Sequence, residues 1–141
     1  MNDQTWMQQA IDEARRADDP FGSVIVRDGA VLASEPNRVD STNDPTAHAE
    51  VCAIRKAAPG GGRNTLAGAT LYTTCEPCPM CAAACVWAGI DRIVFGASID
   101  EIKQYWHQID IPCSEVIARG FHPIEITGGV LREQCLSLYI D

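Results

Sequence analysis

Positive charge is what this sequence has least of. Eleven Lys and Arg stand against nineteen Asp and Glu in 141 residues, giving a formal net charge of -8 and a pI near 4.7. No basic cluster exceeds a pair such as Arg15 and Arg16, and no stretch interleaves basic and aromatic residues as single-strand binders do. Phosphate neutralisation needs concentrated Lys and Arg, so a broad electrostatic attraction to nucleic acid is not expected. Long apolar runs are missing too, since none approaches the roughly eighteen residues of a membrane span. The opening "MNDQTWMQQAIDEARR" is polar from its first residues, unlike a signal peptide, which predicts a cytoplasmic protein without membrane contact. Internal repeats, low-complexity tracts and linkers are likewise absent. The length then predicts one domain over residues 1–141, large enough to bury a core without disulfide staples.

What the chain does have is cysteine. There are seven, and "TTCEPCPMCAAAC" holds Cys75, Cys78, Cys81 and Cys85, the first three forming two overlapping Cys-x-x-Cys pairs. Without an export signal these thiols are expected to be reduced, so the close spacing reads as metal or redox chemistry before it reads as disulfides.

Periodicity gives an amphipathic first helix over Gln4–Ala17, ended by "DDP", then two β-rich runs around the Asp28-Gly29 turn, a tight hairpin. "STNDPTAHAEVCAIRKAA" predicts a helix with Asp44 as N-cap and Pro45 at its first position, stopped by "PGGGRN". "ATLYTT" predicts a strand leading into the cysteines, and Pro79 opens a helix through "MCAAACVWAG". Ile93–Ala97 and "HPIEIT" predict two more strands, and "VLREQCLSLY" a closing helix. Residues 98–120 are mixed, with helical character around "DEIKQYW" and "CSEVIARG". This order predicts an α/β fold, a three-layer α/β/α sandwich on a mixed sheet.

The chemistry gathers at two helix starts. His48-Ala49-Glu50 opens one and Cys78-Pro79-Met80-Cys81 the other. One His and two thiolates make a catalytic zinc set if the fourth position is left to water; four protein ligands would make a structural clamp. Cys85, a turn beyond Cys81, reads as core packing. Cys75 reads either as the end of the strand or as a fourth ligand. Glu50 argues for the open site, because a carboxylate beside the metal is the base that an activated water needs. One tension follows: residues two apart on a helix do not share a face, so His48 and Glu50 must approach the metal from different sides.

His-Ala-Glu followed by Pro-Cys-x-x-Cys resembles the signature of the zinc-dependent cytidine and nucleobase deaminases, and the resemblance extends over nearly the whole chain in element order. It implies the cytidine deaminase-like five-stranded fold, with zinc held by His48, Cys78 and Cys81 and with Cys75 outside the ligand set. It also implies that Glu50 carries protons from the attacking water to a ring nitrogen and then to departing ammonia. A homodimer is implied as well. Within the family, "DDPFGSVIV" and "STNDPTAHAEV" are similar to the bacterial-type guanine deaminases. That likeness places Phe21 on the base, with Asn37 as a base contact shared with the tRNA adenosine deaminases. Trp87 falls at a guanine-deaminase position, although helical geometry points it away from the cysteines, towards a subunit interface. "HPIEITGGVLREQCLSLY" is more similar to the tRNA enzymes. An acid and an aromatic that close the pocket in guanine deaminases have Asp110 and Tyr139 as their nearest counterparts. The acidic balance favours a small free base, so the expected reaction is guanine to xanthine and ammonia. The alternatives are adenosine in tRNA, cytosine or a triazine, and, outside enzymes, a closed zinc module completed by Cys75.

Overall fold

The computed structural model describes residues 2–140. Helix α1 (Asp3–Arg15) starts where the Asn2 side chain accepts the Thr5 N–H at 3.1 Å, and it buries Trp6, Met7, Ala10, Ile11 and Ala14, the expected apolar stripe. Strands β1 (Gly22–Arg27) and β2 (Ala30–Pro36) form the hairpin, with Asp28 and Gly29 both at positive φ, 52° and 75°, as a two-residue turn between twisted strands requires. β3 (Thr70–Cys75), β4 (Arg92–Ala97) and β5 (Glu125–Thr127) complete one sheet in the order β2-β1-β3-β4-β5. β1 is antiparallel to β2 and to β3, whereas β4 runs parallel to β3 and β5. The sheet is therefore mixed and five-stranded, as the sequence predicts.

Both faces of the sheet are covered. Because side chains alternate along a strand, Ile25, Leu71 and Ile93 point to one face while Val24, Tyr72 and Val94 point to the other. The first set packs beneath α3 (Ala49–Ala57), α4 (Pro79–Ala88) and α6 (Cys113–Ala118). The second packs beneath α1, α5 (Ile99–Ile102) and α7 (Arg132–Ser137). Burial from two sides is what makes the central strands read as nearly unbroken apolar runs. Truncating a fully buried member such as Leu71 to Ala costs about 2–5 kcal/mol.

Two contacts seat α1. Gly22 lies so close beneath it that a Cβ there would stand 2.1 Å from the Ala10 carbonyl oxygen and 2.5 Å from the Ala14 nitrogen. In the first turn, the Arg92 guanidinium donates to both Asp3 oxygens at 2.9 and 2.8 Å, and the Tyr72 hydroxyl donates to Asp3 Oδ1 at 2.8 Å.

Some boundaries differ from expectation. The second long helix begins at Ala49, not Pro45, because Asp44 spends its carboxylate on a turn: Oδ1 accepts the Thr46 N–H at 2.9 Å and its hydroxyl at 2.7 Å. A single turn, α2 (Val39–Thr42), precedes it, ending at Asn43 in the left-handed region. The last helix is trimmed to Arg132–Ser137 because Leu131 takes a positive φ, 50°. The last strand shrinks to three residues at the sheet edge. Among the described residues no helix is long and apolar enough to cross a membrane.

Candidate active site

The shortened second helix resolves the tension at His48 and Glu50. His48 is the N-cap of α3, with extended backbone (φ -61°, ψ 154°), and Glu50 sits inside the first turn. The two side chains leave from different backbone geometries, so they can approach one point from different sides. Cys78 plays the same part for α4, an N-cap with φ -65° and ψ 169°, followed by Pro79, whose missing N–H costs nothing at a first helical position. Cys81 comes one turn in. β3 ends at Cys75 and delivers this loop, so the two helix starts converge beyond the carboxyl end of a strand in the parallel half of the sheet, a place where open α/β sheets hold ligands.

There the Cys78 and Cys81 sulfurs each lie 3.6 Å from His48 Nδ1, and the three ligand atoms all fall within 4.8 Å of one another. Zinc–sulfur and zinc–nitrogen bonds of about 2.3 and 2.0–2.1 Å in a tetrahedron place sulfur and nitrogen roughly 3.5–3.6 Å apart, so the donor set fits a zinc ion in both type and spacing. Cys75 Sγ is outside this group, although the residue is buried beside it. Cys85 is fully buried in the apolar layer under α4. Among the described residues, His48, Cys78 and Cys81 are the ligand atoms that gather at this point.

Electrostatics at the cluster follow from two thiols sharing one His. The hydrogen bond from Cys81, then the His48 contact, brings the Cys78 thiol down to about 4 against the opposing effect of burial. The same pairing, with burial, pushes Cys81 well above the ordinary thiol range. His48 is raised, chiefly by its hydrogen bond with Cys78. A divalent cation supplies the positive charge that lets both sulfurs ionise. Glu50 is only 6% exposed, and burial, helped by the nearby Cys78 thiolate and opposed by His48, pushes its carboxyl up to about 7.

A cavity of about 420 Å³ opens over this cluster, with His48, Glu50, Cys75, Glu76 and Cys78 on its floor. Phe21 and Asn37, the two expected base contacts, both line it. Phe21 is held edge-on by Trp106 at 5.5 Å and tilted against Tyr139 at 5.1 Å between ring centres. Asn37 is buried, and its Oδ1 accepts the Val39 N–H at 3.0 Å, which fixes the amide and turns its NH₂ to other use. Trp106, His107, Gln108 and Ile109 line the cavity as well, together with Asp19. Burial and the neighbouring Asp40 and Asp18 raise the Asp19 carboxyl. None of the cavity-lining residues is Lys or Arg.

Two expected site residues are not brought in. Trp87 lies in the last turn of α4, 53% exposed, edge-on to Phe121 at 4.9 Å between ring centres, with the Arg63 guanidinium over its ring. The helix axis carries it away from the cysteines at the other end. Asp110 points to solvent and pairs with Lys103 at 3.3 Å. Tyr139 stands one layer back, behind Phe21, with its hydroxyl 3.0 Å from Thr74 Oγ1. Sequence reasoning missed Asp19, Glu76, Trp106 and His107. "DDP" reads as a helix stop, and 106–109 has no periodicity to mark it.

A His-Cys-Cys cluster on two helix starts, at the end of a parallel strand and beside a buried carboxylate, defines a zinc site of the hydrolytic kind on an α/β/α fold. Residues 1–97 match the family model described as the cytidine and deoxycytidylate deaminase zinc-binding region, and the chain belongs to this family. It is 40% identical over 127 residues to the guanine deaminase of Bacillus subtilis, covering 82% of this chain and 81% of that protein. It is 36% identical over 137 residues to the tRNA-specific adenosine deaminase of the same organism, covering 94% of this chain and 83% of that protein. Among solved structures it is similar to one from work on A-to-I editing by tRNA:A34 deaminases, with a TM-score of 0.80 and 35% identity over 95% of this chain and 98% of that one. The protein is thus a zinc-dependent deaminase, and its relatives act on both a free base and tRNA.

Proposed function

We propose that the protein hydrolyses guanine to xanthine and ammonia. The observation that carries this reading is the cavity itself, about 420 Å³ with no Lys or Arg in its wall, in a chain of net charge -8. It suits one neutral ring and offers nothing to phosphates. His48, Cys78 and Cys81 would hold a zinc ion, which would supply the Lewis acidity that brings the pKa of water down to about 7. Glu50 takes the first proton that the water gives up and passes it to the ring nitrogen beside the amino-bearing carbon, where it stays; it then takes the remaining hydroxyl proton as the carbonyl forms and gives it to the leaving amine. Carbon–oxygen bond formation and carbon–nitrogen cleavage balance as guanine plus water to xanthine plus ammonia. Its buried carboxyl, raised towards neutrality, suits a group that must both accept and return a proton. The Asn37 NH₂ donates to an acceptor on the ring, and Phe21 packs against it.

The second reading is adenosine in tRNA. It is favoured by the likeness to the tRNA-specific enzyme, which extends over 94% of the chain and so takes in the closing strand and helix. Nucleic acid therefore remains a partner to test. Ammonia release from guanine, adenine, cytosine, cytidine, an aminotriazine and a tRNA anticodon stem-loop decides between them. Turnover of guanine is the expected result; release confined to the stem-loop or to cytosine sinks it. The same reading includes a cytoplasmic homodimer that uses the exposed end of α4 at Trp87. Light scattering on the zinc-loaded protein and on Trp87→Ala checks the dimer, which should weaken in the variant.

A further inference from the structure

Glu76 follows the last residue of β3 and precedes the cysteine loop, and it is 7% exposed. A buried carboxylate is costly unless its oxygens are bonded. Here each oxygen has its own backbone donor: the Ile99 N–H gives to Oε1 at 2.9 Å and the Cys113 N–H to Oε2 at 2.7 Å. Ile99 opens α5 and Cys113 opens α6. Between them runs the segment 100–112, whose Trp106, His107, Gln108 and Ile109 wall the cavity.

We propose that Glu76 is a positioning residue that clamps both ends of this wall to the strand carrying the metal cysteines. The argument rests on where the two short helices pack. Ile102 of α5 belongs to the apolar layer on the α1 side of the sheet, while Cys113 and Ile117 of α6 belong to the layer on the opposite side. Apolar packing therefore holds each end separately and does not tie one to the other. Glu76, at the carboxyl end of β3, bridges the two layers. It is itself fixed, since its N–H donates to the Ala97 carbonyl at 2.8 Å and extends the β3–β4 pairing by one step. Two residues on is Cys78, so wall and metal cluster share one rigid origin. The substrate-related part of this role rests on the deaminase reading of the cavity; the clamp does not.

Glu76→Gln keeps the size but puts an NH₂ where one oxygen accepted, and Glu76→Ala removes both acceptors. Hydrogen exchange on the zinc-loaded protein should show protection at Ile99 and Cys113, and through 105–109, falling by about tenfold or more in Glu76→Gln, with α1 and β1 unchanged. Unchanged protection over 100–112, or an even loss along the chain, overturns the proposal. If Glu76→Ala does not fold, Glu76→Asp, whose shorter carboxylate cannot reach both donors, should lose protection at one end. With guanine, KM in Glu76→Gln should rise about tenfold while kcat changes less than about threefold, and the rise should vanish in a Trp106→Ala background. A full KM effect persisting in that background means Glu76 does not act through the wall. Should the wild type leave guanine untouched, the substrate reading falls, and the exchange data alone decide the clamp.

Discussion

His48, Cys78 and Cys81 meet because two helix starts, each set by a few neighbouring residues, converge beyond β3. Trp106, His107 and Ile109 reach the same cavity from a stretch between two short helices, held at its ends by contacts distant in sequence. One side of the site is set by local sequence, the other by tertiary structure. In such an arrangement the reaction type is fixed by the first side, and selectivity is free to vary through the second.

Removing a ligand should produce the largest effect. Cys81→Ala is expected to lose most of its zinc on dialysis and all measurable turnover, whereas Cys75→Ala should keep about one zinc per chain by metal analysis. Zinc loss in Cys75→Ala would mean the site is closed and the contrast with the wall irrelevant. Next, Glu50→Gln should retain the metal while kcat falls about 10²–10⁴-fold, read in the ammonia assay. Trp106→Ala sharpens the contrast from the other side. It should raise KM for guanine by about tenfold, leave zinc content alone and spare kcat, because it removes a cavity side chain and its contact with Phe21 but no metal ligand; an equal loss in kcat would merge the two regions.

The smallest effect lies far from both. Arg92 holds the Asp3 carboxyl below its ordinary value, with help from Tyr72 and against partial burial. A carboxylate depressed in the folded state contributes stability above its unfolded pKa and loses it as pH falls through the folded value. Arg92→Ala should therefore cost about 1 kcal/mol in urea unfolding at pH 7, with the gap to wild type closing below about pH 4. A gap independent of pH would assign the loss to packing.

This contrast also explains what could be read in advance. The hairpin and the central strands were legible because each is written in adjacent residues, a two-residue turn and a short apolar run, and each half of the zinc set stands at its own helix start. Asp44 misled because an Asp before Pro serves a turn as well as a helix cap, and only the tertiary position of His48 chooses between them. The 106–109 wall was illegible because its conformation depends on α5 and α6, on opposite layers, and on a carboxylate some thirty residues upstream. Likeness set Trp87 at a guanine-deaminase position while helical geometry pointed it away from the cysteines, and it is exposed in the last turn of α4.

Gly22 bears on anyone hoping to retarget this enzyme. It neighbours Phe21, a cavity residue, and a mutagenesis library aimed at new substrates would naturally randomise the pair together. Any side chain at Gly22 meets the backbone of α1 at 2.1 Å, so nearly every such clone would unseat the helix before its chemistry could be screened. Diversity is better spent on Phe21 and on 106–109, whose side chains line the cavity itself.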